Sequence, residues 1–434
     1  MVFSHGLGGS RLAYSQFCCS MASHGVVVVA PEHRDGSGPL SIVRKRTGDD
    51  ELKVKMVDYL SAEHKLTVGM SNIRDFQLSI RSTEIGLVYK ALTYLNKGVI
   101  PNGTISGTQG NTESDAALRI FKNKLDIDTP GRVIWAGHSF GAATMVQFIK
   151  SVYYMGSENA QPSLLRLPEK DIALLQQQVT KQSPLQLLDM WCLSLLGSKR
   201  TYWLWKKPLP QVLPLDEGEI KSTSNVSPLA SRVLTIMSYQ FYVWKENMWA
   251  VKWLLSRDPG ARDGAVREIF HYDPMTGKEL SEKDEGVVPD PSASEGILID
   301  GDGYRPPKLF YAKKSAHMSQ SDFNLLFPFF LRKQVPEPER ILSLNIRATV
   351  QWLREAGYRG EIAPHSAKEA KLDDCEIFEN AEDEEIGDAV EEAGKKSVLE
   401  GWVRLGLHEE KVKRKAVQKS VEEGMEAGGE GELA

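Results

Sequence analysis

Short apolar runs rich in β-branched residues alternate along most of this chain with segments whose apolar positions recur at helical spacing. Val26-Val27-Val28-Val29-Ala30 reads as a strand covered on both faces, the kind a parallel sheet uses. Arg132 to Ala136, Leu185 to Leu188, Arg232 to Met237 and Lys308 to Ala312 read as further strands. Between them, Phe76 to Leu95 carries Leu78, Ile80, Ile85, Val88, Leu92 and Leu95 at roughly helical spacing, and Ala142 to Tyr154 reads as a helix following a strand. Asn102 to Ser114, rich in Gly, Thr, Ser and Asn, reads as a loop. Strands alternating with helices predict an α/β fold with a mostly parallel central sheet and flanking helices.

Three stretches depart from that rhythm. Ser157 to Pro184 is polar and predicted helical, and Arg257 to Tyr304 is dense in Asp, Glu, Gly and Pro, so residues 157–184 and 257–304 are expected to be insertions. From Asp373 to Glu392 the chain is acidic with no basic residue, and Lys395 to Lys419 then turns basic. The expectation is a catalytic domain over 1–363 and a flexible, disordered tail over 364–434. Val2-Phe3-Ser4 reads as the end of a strand entering a loop, which suggests that N-terminal strands are missing.

Composition acts mainly by exclusion. A net charge of −5 over 434 residues argues against a nucleic-acid binder held by phosphate contacts. No signal peptide and no long apolar run is seen, so no transmembrane span is expected. Cys18, Cys19, Cys192 and Cys375 show no disulfide or metal spacing. That points to a reducing, cytoplasmic setting, with peripheral membrane attachment and secretion both left open. No His/Asp/Glu/Cys cluster has ligand spacing, so neither a metal nor another cofactor is expected.

Gly137-His138-Ser139-Phe140-Gly141 is a G-x-S-x-G motif set between a predicted strand and a small-residue helix start. A serine there sits on a tight turn, and its hydroxyl is pushed out above the sheet. That is the nucleophile setting of the α/β-hydrolase fold, and it makes Ser139 the candidate nucleophile. The early Gly-rich loop His5-Gly6-Leu7-Gly8-Gly9 stands where this fold places a second oxyanion donor, so the N–H groups of Leu7 and Phe140 are the candidate oxyanion hole. The chain order in this fold is serine, acid, histidine. Among His271, His317 and His365, His317 follows a predicted strand and is the candidate base. The candidate acid is Asp189, at the end of an apolar run, with Asp216, Asp300 and Asp302 as rivals.

Several ordered blocks then carry a resemblance. They are Phe3-Ser4-His5-Gly6-Leu7-Gly8, Ala22-Ser23-His24-Gly25, Glu32-His33-Arg34-Asp35 and Leu125-Asp126-Ile127-Asp128. The serine block through Thr144, Leu188-Asp189-Met190-Trp191, and Ser315-Ala316-His317 with Ser321-Asp322-Phe323 complete the series. Together they resemble the platelet-activating-factor acetylhydrolases of the plasma and type II intracellular group. The resemblance implies an α/β-hydrolase that needs no metal, with Ser139, Asp189 and His317 as triad and Leu7 and Phe140 as oxyanion donors. It implies phospholipids with a short or oxidised sn-2 acyl chain as substrates, met at a membrane or lipid-particle surface. A carboxylesterase for small esters or polyesters is the alternative, and a non-catalytic interaction protein the second. Dense aromatic residues at Trp191 to Trp205 and Phe241 to Trp253 read first as core and pocket wall, and otherwise as a rim touching lipid.

Overall fold

The computed structural model describes residues 1–46, 52–61, 68–101, 112–157, 163–215, 230–262, 305–358, 378, 382–383 and 402–405. In chain order these form β1 (Val2–Ser4), α1 (Ser15–Ser23), a hairpin of β2 (Leu40–Arg46) and β3 (Leu52–Asp58), the long α2 (Val68–Asn96) and α3 (Thr112–Arg119). β4 (Trp135–His138), α4 (Phe140–Tyr153), α5 (Glu169–Gln178), β5 (Leu185–Leu188) and α6 (Lys199–Trp205) follow. β6 (Val233–Ser238), β7 (Lys308–Ala312), the helix Pro338–Leu353, β8 (Glu382–Asp383) and β9 (Trp402–Arg404) complete the framework. The central sheet has the order β1-β4-β5-β6-β7-β9-β8. Its first five strands pair in parallel, and β9 runs antiparallel to β7.

The strands are apolar throughout because each face of the sheet meets its own core. Successive side chains alternate between faces. Val2, Trp135, Leu185, Leu187, Val233 and Leu309 pack against α2, α4 and α5. Their neighbours Phe3, Ala136, Leu188, Leu234 and Phe310 pack against α1 and the helix Pro338–Leu353. α4 is buried from Phe140 to Val152, so it has no polar stripe to show solvent. This is the mostly parallel α/β architecture expected from the alternation.

Three expectations need correcting, and one element was not foreseen. Val26–Ala30 is not a buried strand: it makes a single parallel bridge, Val2 to Val29, and Val27 is exposed. With one neighbour on one side it runs along the sheet edge, where hydrophobicity alone cannot make a ladder. The predicted loop 102–114 ends early, because α3 begins at Thr112; residues 102–111 lie outside the described residues. The β2–β3 hairpin had no counterpart in the sequence reading, since its alternation leaves Ile42, Val54 and Met56 exposed and mimics no core pattern. The segment read as a tail contributes to the core. Trp402 is fully buried, Val403 and Leu405 face the α4 side, and Phe378 stacks on Phe310 at 5.1 Å. Of the two expected insertions, 157–184 contains α5, while residues 263–304 lie outside the described residues.

Candidate active site

The end of β4 is shaped by what will not fit. A Cβ on Gly137 would stand 2.5 Å from the Gly141 backbone, and one on Gly141 would stand 2.0 Å from the Ser4 carbonyl oxygen. Between these glycines Ser139 adopts φ 56°, ψ −118°, a conformation that L-residues rarely take. Its N–H donates to the Leu188 carbonyl at 2.8 Å, which ties the turn to β5. α4 starts at the next residue, so the N–H of Phe140 has no acceptor within the helix.

The Gly-rich loop lies against this turn. A Cβ on Gly6 would be 3.2 Å from both the Ser139 Cβ and the His138 Nδ1, which sets the residue before Leu7 against Ser139. The loop is pinned from every side. The Gly6 N–H donates to the Tyr14 hydroxyl at 2.9 Å, and that hydroxyl bonds His138 Nδ1 at 2.8 Å. The Gly8 N–H donates to the Ser37 carbonyl at 2.7 Å. The His5 carbonyl accepts from Arg81 Nη1 at 2.7 Å.

Arg81 is fully buried on α2. It also pairs with Asp35 Oδ2 at 2.7 Å, donates to the Ser37 hydroxyl, and sits 4.7 Å from the Phe140 ring centroid. His33 joins the Ser4 hydroxyl (2.8 Å) to Glu84 (2.9 Å), and its N–H reaches His5 Nε2 at 3.2 Å. His33 and Asp35 of the Glu32-His33-Arg34-Asp35 block are therefore a buried brace under the loop, a role its sequence did not reveal. Burial pushes the imidazoles of His5, His33 and His138 well below their ordinary value, with the Arg81 charge adding to the effect at His5 and His33.

The acid and the histidine come from separate strand ends. Asp189 follows β5 with φ 43° and is fully buried; its N–H continues the parallel ladder to the Ile236 carbonyl. One carboxylate oxygen accepts from the Ser238 N–H, and the other lies 3.0 Å from His317 Nδ1. His317, on the turn after β7, is held further by its backbone N–H donating to Gln240 Oε1 (2.9 Å) and by face-to-face stacking of its ring on Phe241 at 4.0 Å and 7°. Its ring centroid is 4.4 Å from that of His138, the residue before Ser139.

The structure thus brings Leu7, Ser139, Phe140, Asp189 and His317 to one end of the sheet. The rivals Asp216, Asp300, Asp302, His271 and His365 lie outside the described residues. Sequence reasoning missed Tyr14, Arg81, Ser238 and Gln240, which touch the site through folding alone, since no spacing marks them; Phe241 belongs to the aromatic group read as core and pocket wall. Most of the aromatic residues beside the acid are core: Tyr202, Trp205, Trp249 and Trp253 are all buried. Exposed aromatics include Phe327, Phe329 and Phe330, soon after His317, with Tyr239 and Trp244 near Phe241.

Among the described residues, ligand atoms of His138, Asp189 and His317 lie within 4.8 Å of one another, close enough to hold a cation. The Asp189–His317 spacing is also that of a carboxylate accepting from an imidazole N–H. No helix among the described residues is long and apolar enough to cross a membrane.

Comparison with known proteins bears on this arrangement. Residues 1–158 match the family model described as "Platelet-activating factor acetylhydrolase, isoform II". The resemblance read from the sequence blocks stands over that part, which includes the Gly-rich loop and Ser139 but ends before Asp189 and His317. A Schizosaccharomyces pombe protein named "Putative phospholipase A2" is 26% identical over 369 residues, 82% of this chain and 67% of its own. Platelet-activating factor acetylhydrolases of Gallus gallus and Canis lupus familiaris are 33% and 32% identical, each over 34% of this chain. The matched stretch spans 34% and 31% of those two acetylhydrolases.

Proposed function

We propose that the protein is a serine esterase of the α/β-hydrolase type that cleaves the sn-2 ester of phospholipids with short or oxidised acyl chains. The observation that carries this reading is the Asp189–His317 pair at 3.0 Å, set beside a strand–turn–helix serine whose flanking glycines admit no side chain. Asp189 accepts from the His317 Nδ1–H, which leaves Nε2 as the basic nitrogen. His317 takes the Ser139 hydroxyl proton as Oγ attacks the sn-2 carbonyl carbon. The oxygen that gains charge rests on the N–H groups of Leu7 and Phe140, each contributing roughly 3 kcal/mol to the barrier reduction. The C–O bond to glycerol breaks, and His317 returns the proton to the leaving lysophospholipid. Water, deprotonated by His317, then releases the carboxylic acid and restores Ser139.

No step calls for a metal, so a chelator is expected to leave the rate unchanged. Leu326, Phe329 and Phe330 expose 67%, 69% and 68% of their surface within fifteen residues of His317, which supports work at a lipid surface.

The test is hydrolysis of phosphatidylcholines with sn-2 acetyl, oxidised and long acyl chains, beside a p-nitrophenyl ester. Preference for acetyl and oxidised chains is the expected result. Faster turnover of the soluble ester at equal concentration would favour a general carboxylesterase instead. Ser139→Ala should lower the rate by roughly 10⁶-fold while the fold persists. A variant that keeps a substantial rate would overturn the nucleophile assignment.

A further inference from the structure

α2 has two working faces. Leu78, Arg81 and Ile85 are buried towards the core, and Arg81 reaches the Phe140 ring. On another face, at helical spacing, Asn72, Phe76, Ile80, Thr83 and Leu87 form one wall of a cavity of about 680 Å³. Its other walls come from Leu164 and Arg166 before α5 and from Ser198 to Arg200 at the start of α6. That volume is in the range of small-molecule sites. None of Leu7, Ser139, Phe140, Asp189 or His317 lines it.

The lining is unbalanced in charge. Arg34 is taken up by Glu84 at 2.8 Å, and the second Glu84 oxygen is held by His33. Arg166, Lys199 and Arg200 are exposed and form no ion pair with any described residue. Against these three cations stands one acid, Asp75. Both its oxygens accept from the Ser198 hydroxyl at 2.7 Å, and burial pushes the carboxyl up to about 6, so its opposing charge is weakened as the pH falls towards that value.

Beside the cations the wall is apolar and wet. Phe76 exposes 59% and Leu87 44% of their surface, with Ile80 and Leu164 next to them. Single exposed apolar residues are ordinary; several sharing a concavity with cations that form no ion pair with a described residue are not. Covering both kinds of surface at once takes a ligand that is anionic at one end and aliphatic along its length.

We propose that this cavity is a second binding site, apart from Ser139, for a single-chain amphiphile with an anionic head. Arg166, Lys199 and Arg200 hold the head, a carboxylate or a phosphate monoester, and the chain lies along Phe76, Ile80 and Leu87. The site stands independently of the esterase reading, because none of its residues takes part in that chemistry.

The test is titration calorimetry of the full chain carrying Ser139→Ala, so that no ligand is turned over. The probes are dodecanoate, dodecyl phosphate, zwitterionic dodecylphosphocholine and inorganic phosphate, the amphiphiles kept below micelle formation. Expected is saturable binding of dodecanoate, dodecyl phosphate or both; the tighter of the two identifies the head. Dodecylphosphocholine and inorganic phosphate should bind at least about tenfold more weakly, since each lacks one half of the recognition. An R166E/R200E double variant should weaken anion binding by roughly tenfold or more at unchanged melting temperature. L87D should weaken it too, through the chain. Equal affinity for the zwitterionic probe, no binding of either anion, or full binding by R166E/R200E would each overturn the proposal. The acyl-chain series for the esterase reading would be unaffected by any of these outcomes.

Discussion

The wall that carries Ser139 is buried and braced by charge, whereas the wall that carries His317 stands at the water's edge on hydrogen bonds and ring contacts. Ser139 sits in a turn where the Ser4 carbonyl and the Gly141 backbone exclude any side chain, above a network in which Arg81, Asp35 and His33 are nearly inaccessible to solvent. The His317 side chain keeps 21% of its surface exposed and rests on Asp189 and Phe241, while Gln240 holds its backbone N–H. The difference suits the proposed roles. A nucleophile needs one fixed place among its oxyanion donors, while a base must exchange protons with substrate and water. Asp189 joins the two walls, since β5 pairs with β4 on the Ser139 side while its carboxylate reaches His317.

The most severe break is expected at that joint. Asp189→Asn should lower kcat by roughly 10⁴-fold with KM little changed, by analogy with the serine-protease triad. Asp216→Asn, Asp300→Asn and Asp302→Asn should remain near wild type in steady-state kinetics. A crippled variant among those three, with Asp189→Asn active, would remove Asp189 from the site.

Next comes the brace under the Ser139 wall. Arg81→Met would leave Asp35 buried without its partner and release the His5 carbonyl. Unfolding free energy should fall by about 3–5 kcal/mol, and kcat should fall with it in the fraction that stays folded. Denaturant titration matching wild type would show that the network is dispensable.

The His317 wall can be loosened from behind through β9, which pairs with β7. Trp402 is fully buried against Phe310, and Trp402→Ala should cost about 3 kcal/mol. Truncation after residue 363 should likewise lower the melting temperature. This reverses the sequence-based expectation of a dispensable tail. A truncated chain melting at the wild-type temperature would restore it.

The smallest effect is a pH dependence on the Ser139 side. His5, His33 and His138 have folded pKa values below their ordinary 6.5. The unfolded chain therefore binds protons there that the fold refuses. Their contribution to stability is present above about 6.5 and is lost as the pH falls below it, at up to about 1.4 kcal/mol per pH unit per group. Asp75, raised to about 6 from 3.8, and Glu32 and Glu84, both also raised by burial, oppose this as their carboxyls take up protons. The melting temperature should drop on acidification below pH 6.5, with a shallower slope in His33→Asn. An unchanged slope in that variant would sink the assignment.

What the sequence determined by itself was local. The Gly137–Gly141 turn was legible because its sterics involve neighbours in the chain, although Gly141 also clears the Ser4 carbonyl. The strands β5, β6 and β7 were legible because both faces of the sheet are apolar, so each strand is marked by its own composition. The same rule misread Val26–Ala30, because composition cannot count neighbouring strands. It also missed β9, a three-residue strand between charged segments whose order comes from Phe310 and β7. Only the tertiary structure set Asp189 against His317, 128 residues apart in sequence, and Arg81 beneath the Gly-rich loop, 76 residues from the His5 carbonyl it holds. Hydrogen bonds and buried ion pairs are satisfied across the fold, and their partners need share no spacing along the chain.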